Sequence, residues 1–408
     1  MMQSHWLSIL GIGEDGVDGL GARARELIAR AELVVGGARH LALAEGLIGG
    51  ARMVWPRPIE DAVGVIAARR GGSVVVLASG DPFFHGVGSL LARHFAPEEF
   101  VCLPVASCVA LAAARLGWAV QDVVVVSCCG FPVERIVPHL AAGGRLVVLS
   151  ADETTPGAVA EVLRARRFGE SRVYLMEALG GVREMVREIA VEAMIGAVPG
   201  GIDRLNLLAI EVRGAGDGVA CVPGLPEAVF AHDGQITMAE FRAVTLAALG
   251  PRPGDVLWDV GCGAGSVAIE FLRAHERNRA VGIERDAVRA ARARENAARL
   301  GVGHLTVVEG EAPGALAGLA APDAVFVGGG GGGEAGDAVI EAGWQALRSG
   351  GRIVVNAVTI ETEAVLFAAH RRFGGSLTRL GVERLDRVGR LYGFRPAMTV
   401  TQWRAVKG

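Results

Sequence analysis

The 408-residue chain has no uncharged run long enough to cross a bilayer; the longest, residues 100–114, is interrupted by Pro104. No transmembrane helix and no membrane partner are expected. The apolar stretch from Trp6 to Ile12 lacks a preceding Lys or Arg and ends in an acidic turn, so it reads as a buried strand rather than a secretory signal. Basic excess is also missing: the formal net charge is −3, which leaves no overall field for a nucleic acid. The cysteines, Cys102, Cys108, Cys128, Cys129, Cys221 and Cys262, include no C-x-x-C pair and no His at metal-ligand spacing. That pattern argues against a metal site and a disulfide framework, and reduced core thiols suit a cytoplasmic protein. Aromatic residues make up only 5% of the chain, against 51% hydrophobic and 21% charged. This is the balance of a globular α/β protein whose core is filled by Ala, Val and Leu.

A chain of this length is expected to form two domains. From Ser4 to Leu116, strands near 7–11, 33–35, 74–78 and 101–104 alternate with amphipathic helical runs, which predicts a parallel sheet. A second α/β lobe follows, with strands near 123–127, 145–149, 172–176 and 207–212. Between Arg213 and Gly234 repeated Gly and Pro break every periodicity. The expected division is a two-lobed domain over residues 1–212 (lobes about 1–118 and 119–212), a linker over 213–234 and a second domain over 235–408. In the second domain, strands near 255–260, 279–283, 305–308, 324–327 and 352–356 are each followed by a helix. Two final strands near 376–383 and 398–405 would complete a seven-stranded Rossmann-like sheet. The glycine run Gly328–Gly333 predicts a flexible loop or backbone packed close to a ligand.

In that second domain, Asp259-Val-Gly261-Cys262-Gly263-Ala264-Gly265 ends a strand and precedes a helix from Ser266. Gly261 and Gly263 permit a tight turn, and Gly265 is expected to let a ligand approach the backbone where the helix begins. A dinucleotide site would require G-x-G-x-x-G, but Ser266 stands at the third glycine. G-x-G-x-G resembles the glycine loop of S-adenosylmethionine (SAM) dependent methyltransferases instead. Glu284 closes the next strand, where a carboxylate can accept both hydroxyls of a ribose; Glu311 and Ala312 lie after the third, where this fold usually holds adenine. Singly, each acid reads as a helix cap, but three features in strand order favour a nucleoside site.

Near the N-terminus, Gly11-Ile-Gly13-Glu14-Asp15-Gly16 does match G-x-G-x-x-G. Two acids beside a pyrophosphate, and a next strand ending in Val35-Gly36 without a ribose-binding acid, argue against a dinucleotide. Ser79-Gly80-Asp81-Pro82 stops a strand abruptly, and Ser107-Cys108 makes a second turn after the next strand, so two polar backbone loops would face one cleft.

These N-terminal features resemble the tetrapyrrole methylases. With His232-Asp-Gly-Gln235-Ile-Thr237, Asn356-Ala-Val-Thr359 and residues 396–403, nearly the whole chain resembles the family of precorrin-6Y C5,15-methyltransferases (decarboxylating). The resemblance implies a two-lobed tetrapyrrole methylase fold followed by a class I methyltransferase domain. It implies one SAM per domain, with S-adenosylhomocysteine as product. Gly13, Ser79, Gly80, Asp81, Ser107 and Cys108 would hold the first; Thr237, Asp259, Gly261, Cys262, Gly263, Ala264, Gly265, Glu284, Glu311 and Ala312 the second. The implied substrate is precorrin-6Y, methylated at C5 by the first domain and at C15 by the second with loss of the C12 acetate carboxyl, giving precorrin-8 in cobalamin synthesis. Arg390 and Arg395, near Tyr392 and Phe394 in the final loop, are expected to hold its carboxylates, and Asn356 is expected to contact the substrate. A homo-oligomer is expected, and no catalytic acid or base is assigned. The family commonly has His where this chain has Cys129, and Lys where it has Met238. Two alternatives stay open: another tetrapyrrole or small-molecule substrate, or one half serving only for binding or oligomerisation.

Overall fold

Apolar runs bounded by turn residues fold as strands throughout the computed structural model, which describes residues 5–408 except 197, 199, 217 and 329–332. The chain divides into two compact units: residues 1–131 with 141–217, and residues 132–140 with 218–408. Most of the glycine run expected to be a loop lies outside the described residues. Gly328 follows strand Ala324–Val327, and Gly333 opens helix Gly333–Ala346. No helix among the described residues is long and apolar enough to cross a membrane.

The first unit contains two sheets. One is parallel, in the order Ala51–Val54, Leu33–Gly36, Val74–Ser79, Leu7–Ile12, Phe100–Leu103. Its interior strand Leu7–Ile12 is buried at every position, as a parallel strand covered on both faces should be. Register pairs Ile12 with Ser79, so the turns that follow these two strands emerge side by side. Edge strand Ala51–Val54 escapes the sequence reading because it is short, exposed and carries Arg52. The second sheet is mixed, in the order Val124–Ser127, Arg145–Leu149, Asn206–Glu211, Arg172–Glu177, Met185–Ala190. Its outer strand Met185–Ala190 is likewise largely exposed, with Arg187 and Glu188 interrupting its apolar residues, and was not expected.

The second unit holds the seven-stranded sheet, ordered Thr306–Glu309, Arg279–Glu284, Val256–Val260, Ala324–Val327, Arg352–Ala357, Val400–Val406, Ser376–Leu380. Val400–Val406 runs antiparallel to both of its neighbours, and the other described pairings in this sheet are parallel. The expected final loop is instead a separate two-stranded ribbon, Glu383–Val388 with Leu391–Pro396, in which Leu385 faces Phe394 and Arg387 faces Tyr392. These cross-strand pairs supply the order that the charged composition concealed.

The Gly- and Pro-rich stretch after Arg213 is irregular without being loose. Leu225 and Phe230 are buried in the core of the second unit. Helix Ala239–Leu249 carries Arg242, whose side chain is fully buried and lies 2.6 Å from Glu270 on helix Ser266–Arg273. Glu270 also accepts the amides of Gly224 at 2.6 Å and Leu225 at 3.0 Å, while Arg242 donates to the carbonyls of Leu225 and Thr237. Removing the carboxylate would strand a buried cation. Glu270→Ala is therefore expected to destabilise the second unit by about 3–5 kcal/mol, seen by calorimetry as a lowered transition assigned to that unit.

Candidate cofactor sites

In the first unit the turns are pressed together backbone to backbone. A Cβ on Gly11 would stand 1.9 Å from the carbonyl oxygen of Gly80, so a residue larger than glycine would drive the end of strand Leu7–Ile12 away from the Gly80 turn. Gly80, at φ +56°, is itself packed against Ser107, whose Cα would lie 2.9 Å from an added Cβ. Val105 N–H closes the arrangement by donating to Gly80 O at 3.1 Å. These turns wall a cavity of about 380 Å³ on which Gly13, Ser79, Gly80, Asp81, Ser107 and Cys108 converge. All six residues expected for the first cofactor are thus brought together. Asp81 accepts from the amide of Phe83 at 2.9 Å, and Ser107 caps helix Cys108–Leu116 through Ala110 at 3.2 Å. Both side chains therefore serve their own turns. Leu77, Leu111, Met176 and Leu207 contribute apolar wall, with Trp55 and Phe84 alongside.

The sequence reading missed Arg39 and His40 as lining residues of this cavity. Glu14, which counted against a pyrophosphate, is ion-paired with Arg39 and 3.7 Å from Arg183. Burial, reinforced by the Arg39 charge, lowers the His40 pKa to about 4, so its ring is neutral at pH 7. The available signal was position: both residues follow strand Leu33–Gly36 directly, where a sheet delivers side chains to its C-terminal edge.

The second unit encloses a cavity of about 790 Å³ lined by Thr237, Asp259, Gly261, Cys262, Gly263, Ala264, Glu284, Glu311, Ala312 and Asn356. Above Gly263 the space is open: the nearest atom to an added Cβ is Gln235 O at 4.0 Å. Gly265 differs from the expectation. It is not among the lining residues, and its Cβ would instead meet Ala293 Cβ at 3.1 Å, so its role is close packing against helix Ala287–Arg299. Glu284, 6% exposed, accepts Gly263 N–H at 2.9 Å and Asp286 N–H at 3.0 Å, one on each carboxylate oxygen. Each oxygen keeps a lone pair for a further donor. Asp259 uses Oδ2 to accept Ala268 N–H at 3.0 Å, whereas its buried Oδ1 has no partner. Burial first, then the neighbouring Glu284, raises the Asp259 pKa to about 7. Cys262 is buried, which pushes its thiol pKa up.

Asn356 lines the cavity but is held by two side-chain bonds, donating to Thr245 Oγ1 at 2.9 Å and accepting from Gln402 Nε2 at 2.9 Å. Arg390 and Arg395 do not line it. Arg390 sits in the ribbon's turn, and Arg395 lies 3.1 Å from Asp386 on the opposite strand. The cationic side chains at this cavity are Arg285 and Arg289; Arg289 holds Asp233 at 2.9 Å. Met238 lines the second cavity and Cys129 the first, so both departures from the family pattern face a cavity. Free lone pairs on Glu284, the unpartnered Asp259 oxygen and the open space above Gly263 fit a nucleoside that carries donors, as SAM does.

Residues 7–195 match the tetrapyrrole (corrin/porphyrin) methylases, and residues 228–407 match the precorrin methyltransferase domain. The chain is thus a fusion of two methyltransferase domains. A precorrin-6Y C(5,15)-methyltransferase (decarboxylating) of Sinorhizobium sp is 51% identical over 409 residues, covering 99% of this chain and 97% of that protein. A protein of the same name from Mycobacterium tuberculosis is 40% identical, covering 98% of this chain and 99% of that protein. The chain belongs to the family of precorrin-6Y C5,15-methyltransferases (decarboxylating). A cobalt-precorrin-7 C(5)-methyltransferase of Salmonella typhimurium is 32% identical over 188 residues, 46% of this chain and 92% of that protein.

Asp259 makes the second site pH-dependent. Its folded pKa of about 7 lies above the unfolded value of 3.8, so ionisation opposes folding, and this contribution to stability declines as pH rises between those values. A ligand donor reaching Oδ1 would favour the ionised form. Binding of S-adenosylhomocysteine at pH 6–7 should therefore release a fraction of a proton and tighten as pH rises toward about 8. Calorimetry in two buffers of different ionisation enthalpy measures the release, and Asp259→Asn should abolish the part belonging to this site.

Proposed function

We propose that this chain methylates precorrin-6Y at C5 in the first domain and at C15 in the second, with loss of the C12 acetate carboxyl as carbon dioxide, giving precorrin-8 in cobalamin synthesis. Each domain takes one SAM. The supporting observation is that each unit contains a complete cavity bounded by its own glycine turn. The cytoplasm is the proposed location and a homo-oligomer the proposed state.

SAM, when bound, supplies a methyl group on a positively charged sulfur. The residues of this chain hold and orient. In the second domain Glu284 would take the ribose hydroxyls and Asp259 a further donor, while Gly263 leaves room above the loop. In the first, the backbone of the Gly80 and Ser107 turns would face the cofactor. A reduced tetrapyrrole offers enamine-like carbon that is already electron-rich, so alignment can supply much of the rate without a base on the protein. The macrocycle itself can accept the electron pair released with carbon dioxide. Arg39 at one cavity, and Arg285 and Arg289 at the other, can meet peripheral carboxylates.

Two variants test the division of labour. Gly263→Arg fills the open space above the second loop, and Gly80→Arg places a side chain against Ser107. The first should lose C15 methylation together with decarboxylation, and the second C5 methylation alone. Single turnover with labelled SAM, read by product mass, separates these losses; decarboxylation lost in Gly80→Arg and retained in Gly263→Arg, both folded, reverses the assignment. Two molecules of S-adenosylhomocysteine should bind per wild-type chain, whereas one would leave a half without its cofactor.

A further inference from the structure

The polar groups at the first cavity close into a triangle around Ser79, the last residue of strand Val74–Ser79. Arg39 Nη2 donates to Ser79 Oγ at 2.8 Å and stands 2.9 Å from His40 Nε2, and that ring nitrogen is 2.8 Å from the same hydroxyl. An arginine nitrogen donates and never accepts, so the nitrogen facing it must carry a lone pair. The His40 ring is therefore assigned the neutral tautomer with its proton on Nδ1, a buried atom with no hydrogen-bond partner among the described residues. Ser79, already accepting from Arg39, turns its own hydrogen toward Nε2. Glu14 secures the other end of the guanidinium. One lone pair of the hydroxyl remains, on an exposed side chain that lines the cavity.

We propose that Ser79 is a positioning residue of the first methyl-transfer site, held by Arg39 and His40 as a pure acceptor for an N–H donor of the bound ligand. That donor is the α-ammonium of SAM or a ring nitrogen of the tetrapyrrole. The proposal rests on placing C5 methylation in the first domain. His40 acts through Ser79: without Nε2 the hydroxyl hydrogen is free to swing into the cavity, where it opposes an incoming N–H. The low basicity of the buried ring keeps Nε2 unprotonated at neutral pH, which preserves the orientation.

Nitrogen NMR of full-length protein labelled at histidine reads the tautomer directly, with His40 identified by the signal lost in His40→Gln. A neutral ring protonated at Nδ1 is expected at pH 7; an imidazolium, or a proton on Nε2, overturns the proposal. Kinetics on the same full-length protein follow, with C15 methylation in the same reaction as internal reference. Ser79→Ala and His40→Ala should each raise one KM of C5 methylation roughly tenfold, the size expected for loss of one hydrogen bond to a charged or strongly polar donor. His40→Gln should restore it to within about threefold, because the glutamine oxygen can accept the Ser79 hydrogen. A higher KM for SAM identifies the cofactor ammonium as the donor; a higher KM for the tetrapyrrole identifies a ring nitrogen. Unchanged KM values in Ser79→Ala, or a His40→Gln protein as impaired as His40→Ala, overturn the proposal. If C15 methylation suffers instead, the Ser79 orientation stands and the assignment of reactions to domains falls.

Discussion

A guanidinium cannot shed its charge at any pH a cell meets, so the fully buried Arg242 obliges its surroundings to pair it. Glu270 meets that demand and also accepts the amides of Gly224 and Leu225. The carbonyls of Leu225 and Thr237 and the ring of Phe230, 4.9 Å from the guanidinium, complete the enclosure. A segment with almost no regular secondary structure is thereby fastened at several points. Its continuation, from Gly234 to Met238, forms one wall of the second cavity. Such a pair adds little net stability compared with well-packed apolar residues, because desolvation consumes most of the attraction. Its effect is to specify one path for the chain, and the cavity wall depends on that path.

The first domain fixes its cavity wall by contact between backbones instead. Strand register delivers the turns after Leu7–Ile12 and Val74–Ser79 to the same edge, and absent side chains at Gly11 and Gly80 let main chain touch main chain. Polar groups of the turns are satisfied locally: Asp81 by Phe83, Ser107 by the helix it starts. Backbone in close contact therefore forms that part of the cavity wall. Its adjustable chemistry is concentrated at Arg39, His40 and Ser79.

The strands of the second domain's main sheet and the glycine turns of both domains could be located in the sequence because they rest on local pattern, whereas the order of those strands in the sheet comes from the fold. Apolar runs of period two or full burial, punctuated by glycine, mark buried parallel strands whatever surrounds them. Ala51–Val54, Met185–Ala190 and the Glu383–Pro396 ribbon could not be read so easily, since their side chains are polar or exposed and their order comes from pairing with a neighbour. Site residues divide along the same line. Glu284 and Asp259 are adjacent to recognisable motifs, whereas Arg39 and His40 carry no motif and join the cavity through tertiary packing. Arg390 and Arg395 were expected from their charge and aromatic neighbours, and the ribbon places them away from the lining of the cavity.

Gly265 shows how one motif can divide its labour. In G-x-G-x-G the first two glycines border the cavity, while the third, at φ +76°, sets the spacing between two helices. With Ala293 Cβ only 3.1 Å from where its own Cβ would be, Gly265 acts as a ruler between helix Ser266–Arg273 and helix Ala287–Arg299. Helix Ser266–Arg273 also carries Glu270, so a change in that spacing reaches the buried pair as well as the loop. A replacement at Gly265 that weakened ligand binding would thus report a displaced scaffold, and lost affinity there is no measure of contact with the ligand.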